Sequence, residues 1–135
     1  GRPLVLLDSA HNPSGAASIA GALREFRFKR LILVAGVMAD KDISGIFKPL
    51  ASLADTIILA APKTERAADT ALLAKKLRGF TGSVITEASV ARACDAALAA
   101  AKAGDAVCVT GSIFTVGEAR AHLSGRLKKT GRKAR

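Results

Sequence analysis

The sequence has no tryptophan and no tyrosine; five phenylalanines are its only phenyl or indole side chains. Proteins that grip single-stranded nucleic acid stack bases on aromatic side chains interleaved with basic ones. That platform is missing here, despite a formal net charge of +10. The charge is also unevenly placed. Arg126, Lys128, Lys129, Arg132, Lys133 and Arg135 put six positive charges into the last ten positions, which leaves +4 over the first 125 residues. A segment so poor in apolar residues is expected to be solvated and disordered. The expected organisation is a folded domain over 1–125 and a basic tail over 126–135, with nucleic acid not expected as a specific partner. Only two cysteines occur, Cys94 and Cys108, so no disulfide framework is expected. Each lies in an apolar pattern and reads as a small buried hydrophobe. A reducing, cytoplasmic setting follows as the expectation.

Other absences narrow the chemistry. No apolar run approaches the roughly 20 residues of a membrane-spanning helix, so no membrane is expected as a partner, and the first residues do not read as a secretory leader. There is no G-x-x-x-x-G-K-[ST] phosphate loop, no G-x-G-x-x-G fingerprint and no G-x-S-x-G nucleophile elbow. Two histidines and two separated cysteines do not make a zinc site by spacing, and no metal ligands are assigned. The chain therefore reads as a domain that contributes to a site shared with something else.

The 135 residues suit one domain with a real core, and half of them are apolar and spread along the chain. Pro3–Leu7 is a short continuous apolar run, the form expected of a strand buried on both faces. Asn12 at an N-cap and Pro13 at the first helical position open a helix whose apolar face reads Ile19, Ala22, Leu23 and Phe26. Leu31–Val34 is the second strand. Asp40 or Asp42 can cap a helix carrying Ile43, Ile46, Phe47 and Leu50, in which Pro49 is expected to force a kink or a break. Thr56–Leu59 is a third strand and Ala68–Leu77 a helix. Ser83–Ile85 is a weaker strand, and Ser89 caps an alanine-rich helix to about Lys102. Ala106–Val109 is the fifth strand, and a last helix is expected from near Val116 to about Leu123. Strands alternating with helices through short loops call for an α/β fold: three layers, a mostly parallel sheet with helices on both faces.

In such sheets ligands gather beyond the carboxyl ends of the strands. That rule picks out three polar clusters: Asp8–Pro13 after the first strand, Ala39–Asp42 after the second, and Thr110–Ser112 after the fifth. Together they offer carboxylates, an imidazole, an ammonium and hydroxyls, groups suited to ribose, phosphate and an amino-acid carboxylate. His122, in the last helix with no motif around it, reads as a surface or satisfied histidine.

The string Leu7-Asp8-Ser9-Ala10-His11-Asn12-Pro13 resembles the D-[GS]-A-H-N-P signature of the C-terminal domain of folylpolyglutamate and dihydrofolate synthases, members of the Mur ligase superfamily. Asp40-Lys41-Asp42 and Val109-Thr110-Gly111-Ser112-Ile113-Phe114-Thr115-Val116-Gly117-Glu118-Ala119-Arg120 match in order and spacing, so the resemblance covers about residues 1–123. It implies a Rossmann-like domain of the Mur ligase C-terminal type. It implies part of a ligase that adds glutamate to dihydropteroate or folate with ATP, through an acyl phosphate. ATP and Mg belong to the complete enzyme, whose phosphate loop, Mg sites and most of the folate site lie in an N-terminal ATPase domain. That domain is the implied partner, and this one is implied to be inactive alone. Asp8 resembles the carboxylate that holds the ATP ribose, and His11 the histidine facing the nucleotide phosphates, implied as both ATP-binding and catalytic. Asn12, Lys41 and Ser112 are implied on the glutamate side. Ser9 stands where the signature usually has glycine, and Phe114 where tyrosine is frequent. The alternatives are a stand-alone nucleotide-binding or regulatory α/β module, and a basic interaction domain using the tail.

Overall fold

In a computed structural model that describes residues 2–129, the strands are β1 (Leu4–Leu7), β2 (Leu31–Ala35), β3 (Thr56–Leu59), β4 (Ser83–Thr86) and β5 (Ala106–Thr110). They form one parallel sheet in the order β1-β5-β2-β3-β4. The helices are α1 (Pro13–Leu23), α2 (Ile43–Ala51), α3 (Thr70–Lys76), α4 (Val90–Ala100) and α5 (Ile113–Lys129). The expected α/β class and three-layer architecture are what the chain adopts. No described helix is long and apolar enough to cross a membrane.

The strand side chains alternate between two cores, as a pleated sheet covered on both faces requires. Leu31, Leu33 and Ala35 join Ile19, Leu23, Ile46, Phe47, Leu50 and Leu73 under α1, α2 and α3. Ile32 and Val34 join Val90, Ala93, Cys94, Ala97, Val116 and Ala119 under α4 and α5. The three inner strands carry the continuous apolar runs of a doubly covered sheet. The first run does not behave that way. β1 is an edge strand paired with β5 alone, and Leu4 and Val5 remain 38% and 37% exposed. β4, the opposite edge, is exposed along its whole length.

Three helices differ from their sequence expectation. In α1 the buried stripe is Ala16, Ile19, Ala20 and Leu23. The helix ends at Leu23 and the chain turns, with Phe26 N donating to the Leu23 carbonyl at 3.1 Å, so Phe26 leaves the stripe and is 45% exposed. Pro49 neither breaks nor splits α2. It lies in the last turn, where the missing N–H costs one intrahelical bond, and four buried apolar residues hold the helix on the sheet. Asp42 rather than Asp40 is the cap, accepting from Gly45 N at 3.0 Å. The last helix starts three residues before Val116, because Ser112 Oγ caps it by accepting from Thr115 N at 3.0 Å. It also continues past Leu123 and includes Arg126–Lys129 of the basic segment. His122 and Arg126 both reach Asp95 Oδ1 on α4, at 2.8 and 2.9 Å. The remainder of the expected tail, 130–135, lies outside the described residues.

Candidate functional site

The chain goes from β1 through α1 to β2, skipping a place in the sheet that β5 later fills. α1 and α2 leave the carboxyl ends of β1 and β2 toward one face, whereas α5 leaves β5 toward the other. The connections therefore diverge at β5, which is the place where open α/β sheets bind their ligands. This switch point gathers the three polar clusters. Asp8 N donates to Val109 O at 3.0 Å, and Gly111 N donates to Ala10 O at 3.1 Å. Gly36 N donates to Thr110 O at 3.3 Å, which fastens the β5 end to the β2 end.

All five residues singled out from sequence stand on these loops. Asp8, half-buried at the end of β1, accepts from Ala10 N at 2.9 Å through Oδ1. That bond shapes the turn and leaves the other carboxylate oxygen unengaged by the described chain. His11 is exposed, with Nδ1 3.1 Å from Ser9 O. A carbonyl can only accept, so Nδ1 carries the proton in this contact. Nε2 then accepts when the ring is neutral and donates when it is an imidazolium. Asn12 is the α1 cap, its Oδ1 accepting from Gly15 N at 2.7 Å. Pro13 follows without an N–H, so Ser14 N is the donor that this first turn leaves free.

Lys41 is half-buried in the turn that opens α2, where Lys41 N donates to Met38 O at 3.2 Å. The α1 and α2 starts approach closely: a Cβ on Gly45 would lie 2.8 Å from Pro13 Cγ. Asp42 and Asn12 are thereby caps of two adjoining helix starts.

Ser112 is only 2% exposed. Thr115 Oγ1 donates its single proton to Gly36 O at 2.8 Å. In the 2.8 Å contact between the two hydroxyls, Ser112 must then be the donor. Ser112 also accepts from Thr115 N, so its proton is spent inside the chain. The network demands small residues around it. A Cβ on Gly36 would lie 2.5 Å from Ala60 O and 2.8 Å from Thr115 Oγ1. Gly111 has φ +117°, a conformation open to glycine, and a side chain there would collide with the Gly36 carbonyl.

Thr115 is a residue that the sequence reading missed, although the spacing Ser112-x-x-Thr115 at a helix start was a usable signal. Thr110 is another. It is 1% exposed, and its Oγ1 has no hydrogen-bond partner among the described residues, at the end of β5. Beside it, burial and then the Asp8 charge push the Cys108 thiol up to about 12. No group of three or more His, Cys, Asp or Glu side chains able to hold a metal occurs among the described residues.

Residues 1–113 match the Mur ligase, glutamate ligase domain family. A probable bifunctional folylpolyglutamate synthase/dihydropteroate synthase of Halobacterium salinarum is 36% identical over 95% of this chain and 16% of its own length. E. coli FolC, solved in complex with DHPP and ADP, is 36% identical with a TM-score of 0.83, covering 90% of this chain and 29% of that one. A bifunctional folylpolyglutamate synthase/dihydrofolate synthase with Mn, AMPPNP and L-glutamate bound is 31% identical at the same TM-score of 0.83 and the same coverage. The chain thus spans less than a third of the length of each of these proteins. A match over 113 residues, on the fold that carries the three clusters, settles its family: this chain belongs to the glutamate ligase domain family of the Mur ligases.

Proposed function

We propose that this domain completes the active site of an ATP-dependent ligase that joins glutamate by an amide bond to dihydropteroate or a folate. The observation that carries the reading is the convergence of the strand-end loops at the switch point. Three strand-end loops, bearing Asp8, His11 and Asn12, then Lys41, then Thr110–Ser112, are tied into one rim by Ala10, Gly36, Val109, Thr110 and Gly111 backbone bonds. Its similarity to a structure with AMPPNP and L-glutamate bound supports the same ligand pair. In the complete enzyme ATP supplies a phosphoryl group that activates the acceptor carboxylate, so that the glutamate amine can displace phosphate. A separate N-terminal ATPase domain supplies the phosphate loop and holds Mg.

The unengaged Asp8 oxygen accepts from ribose hydroxyls. His11 meets phosphate oxygens through Nε2, which it can do as a donor only in its imidazolium form, beside the positive end of α1. Lys41 sets an ammonium against a glutamate carboxylate, and Asn12 shapes that side while capping α1. Ser112 serves the glutamate side by fixing the first turn of α5, since its own proton is already given to Thr115. A transferring phosphoryl group and a carboxylate share the need for fixed donors in a site that excludes water, and closure of the two domains provides it.

The test uses the complete ligase. Asp8→Ala and His11→Ala are expected to lower kcat/KM for ATP by about 100-fold each, since each removes a charge-assisted contact to the nucleotide. Full activity in the double variant would overturn the assignment. Calorimetry of the isolated domain with ATP and Mg is expected to show negligible heat; tight binding would instead support a stand-alone nucleotide module.

A further inference from the structure

The β3–α3 loop, residues 60–69, reaches the same edge of the sheet and is strapped on both sides. Toward the Lys41 loop, Ala39 N donates to Arg66 O at 2.8 Å and Ala68 N to Val37 O at 2.9 Å. Met38 and Ala67 form an antiparallel bridge between them. Toward α5, Lys63 N donates to Glu118 Oε2 at 2.7 Å. The loop is thus fixed by backbone bonds between the second and third polar clusters.

It presents one guanidinium. Arg66 is exposed and its Cζ stands 6.0 Å from the centroid of the Phe114 ring, in the first turn of α5 next to Ser112. The ion pairs among the described residues are Arg30–Asp105, His122–Asp95 and Arg126–Asp95. Arg66 takes part in none of them. Among the carboxylates on the neighbouring segments, Glu118 accepts from Lys63 N and Asp42 caps α2, and neither Glu65 nor Asp40 forms an ion pair among the described residues. A guanidinium within cation–π reach of an aromatic ring is attracted to the ring face, and an arginine fork suits a two-point grip on a planar anion.

Glutamate carries two carboxylates, and Lys41 can neutralise only one. We propose that Arg66 is the second cation of the glutamate site, its fork gripping one of the two carboxylates of the incoming amino acid from beside the Phe114 ring. The proposal rests on the reading of this switch point as a glutamate site. It predicts that a dicarboxylic amino acid is selected over its amides: a carboxamide facing the fork offers one acceptor and two repelled N–H donors.

The experiment again uses the complete ligase, with steady-state kinetics in glutamate and in ATP. Arg66→Gln is expected to raise KM for glutamate by about 10- to 100-fold, as loss of a bidentate charged contact does, with KM for ATP within about twofold of wild type. Arg66→Lys keeps the charge without the fork and is expected to recover less than half of the loss. Arg66→Gln should also narrow the preference for glutamate over either glutamine or isoglutamine, which identifies the gripped carboxylate. The side chain is exposed and the strapping bonds are made by the backbone, so these variants fold. An Arg66→Gln enzyme with unchanged KM for glutamate and unchanged amide discrimination overturns the assignment. A wild-type ligase that does not consume glutamate at all overturns instead the functional reading on which it rests.

Discussion

Thr110 and Thr115 permit one chemical change to be made twice with opposite results. Both side chains are buried, at 1% and 0% exposure, five residues apart at the end of β5 and the start of α5. Replacing either with valine conserves shape and removes a hydroxyl. In Thr115 that hydroxyl donates to Gly36 O and accepts from Ser112 Oγ, both at 2.8 Å. Each bond is worth about 1 kcal/mol net, and stranding the Gly36 carbonyl and the Ser112 proton adds about 1 kcal/mol or more. Thr115→Val should therefore destabilise the domain by about 3 kcal/mol, a large part of the 5–15 kcal/mol typical of a whole domain. Thr110 Oγ1 has no partner to lose among the described residues, and a buried unpaired hydroxyl is a desolvation cost. Thr110→Val should be neutral or stabilising by up to about 1 kcal/mol. Equilibrium urea unfolding of the 135-residue chain, followed by far-ultraviolet circular dichroism, measures both as shifts in midpoint at constant slope. Equal effects, or a Thr110→Val loss above about 1 kcal/mol, would refute the reasoning. Either result would mean that the Thr110 hydroxyl is satisfied in solution.

Two further outcomes follow from the titrating groups. Asp105 accepts from Lys102 N and from the Arg30 guanidinium, both at 2.9 Å, and these hold its carboxyl below the usual range. A lowered folded pKa means stability that is present above the unfolded value of about 3.9 and lost as pH falls through the folded one. The stability gap between wild type and Asp105→Asn should stay level from neutral pH to about 5 and close below about 4; urea melts across that range check it, and a gap unchanged in strong acid would contradict it. Cys94 and Cys108 are buried, and burial pushes their thiols up to about 11 and about 12. Neither should react with iodoacetamide at pH 8 in the folded domain, and both should react once it is unfolded in urea. Rapid labelling of one equivalent in the native state would show that one of the two is reachable.

Most of the fold was legible because its parts obey local rules. Three of the helix caps were read from their own residues: Asn12, Ser89 and, of Asp40 and Asp42, Asp42 each accept from a backbone N–H three positions on; Asp69 does the same before α3, where the helix was expected from Ala68. The inner strands announce themselves as apolar runs. What the sequence could not place was lateral position in the sheet. Leu4–Leu7 is as wholly aliphatic as Leu31–Val34, yet one run became an exposed edge and the other the buried centre, because strand order depends on which crossover β5 completes last. Phe26 and Pro49 failed for a related reason. Periodicity specifies a stripe, but where a helix stops and how strongly its face is held are settled by packing against elements far along the chain.

The site divides along the same line. Asp8, His11, Asn12, Lys41 and Ser112 were visible because each sits just beyond the carboxyl end of a strand, and that rule needs only the order of elements along the chain, not their places in the sheet. Thr115 and Arg66 were not, for they owe their positions to partners 79 and 27 residues away in sequence, Gly36 and Ala39. Ser112 shows why a correct location does not fix a role. A hydroxyl beyond a strand end reads equally well as a ligand contact or a cap, and only the proton count distinguishes them. Thr115 gives its proton to Gly36, so Ser112 must give its own to Thr115. If that count holds in solution, Ser112→Ala and Thr115→Val should impair glutamate use together and non-additively, because both loosen the same first turn of α5. Independent, additive effects on the KM for glutamate would return Ser112 to direct contact with the substrate.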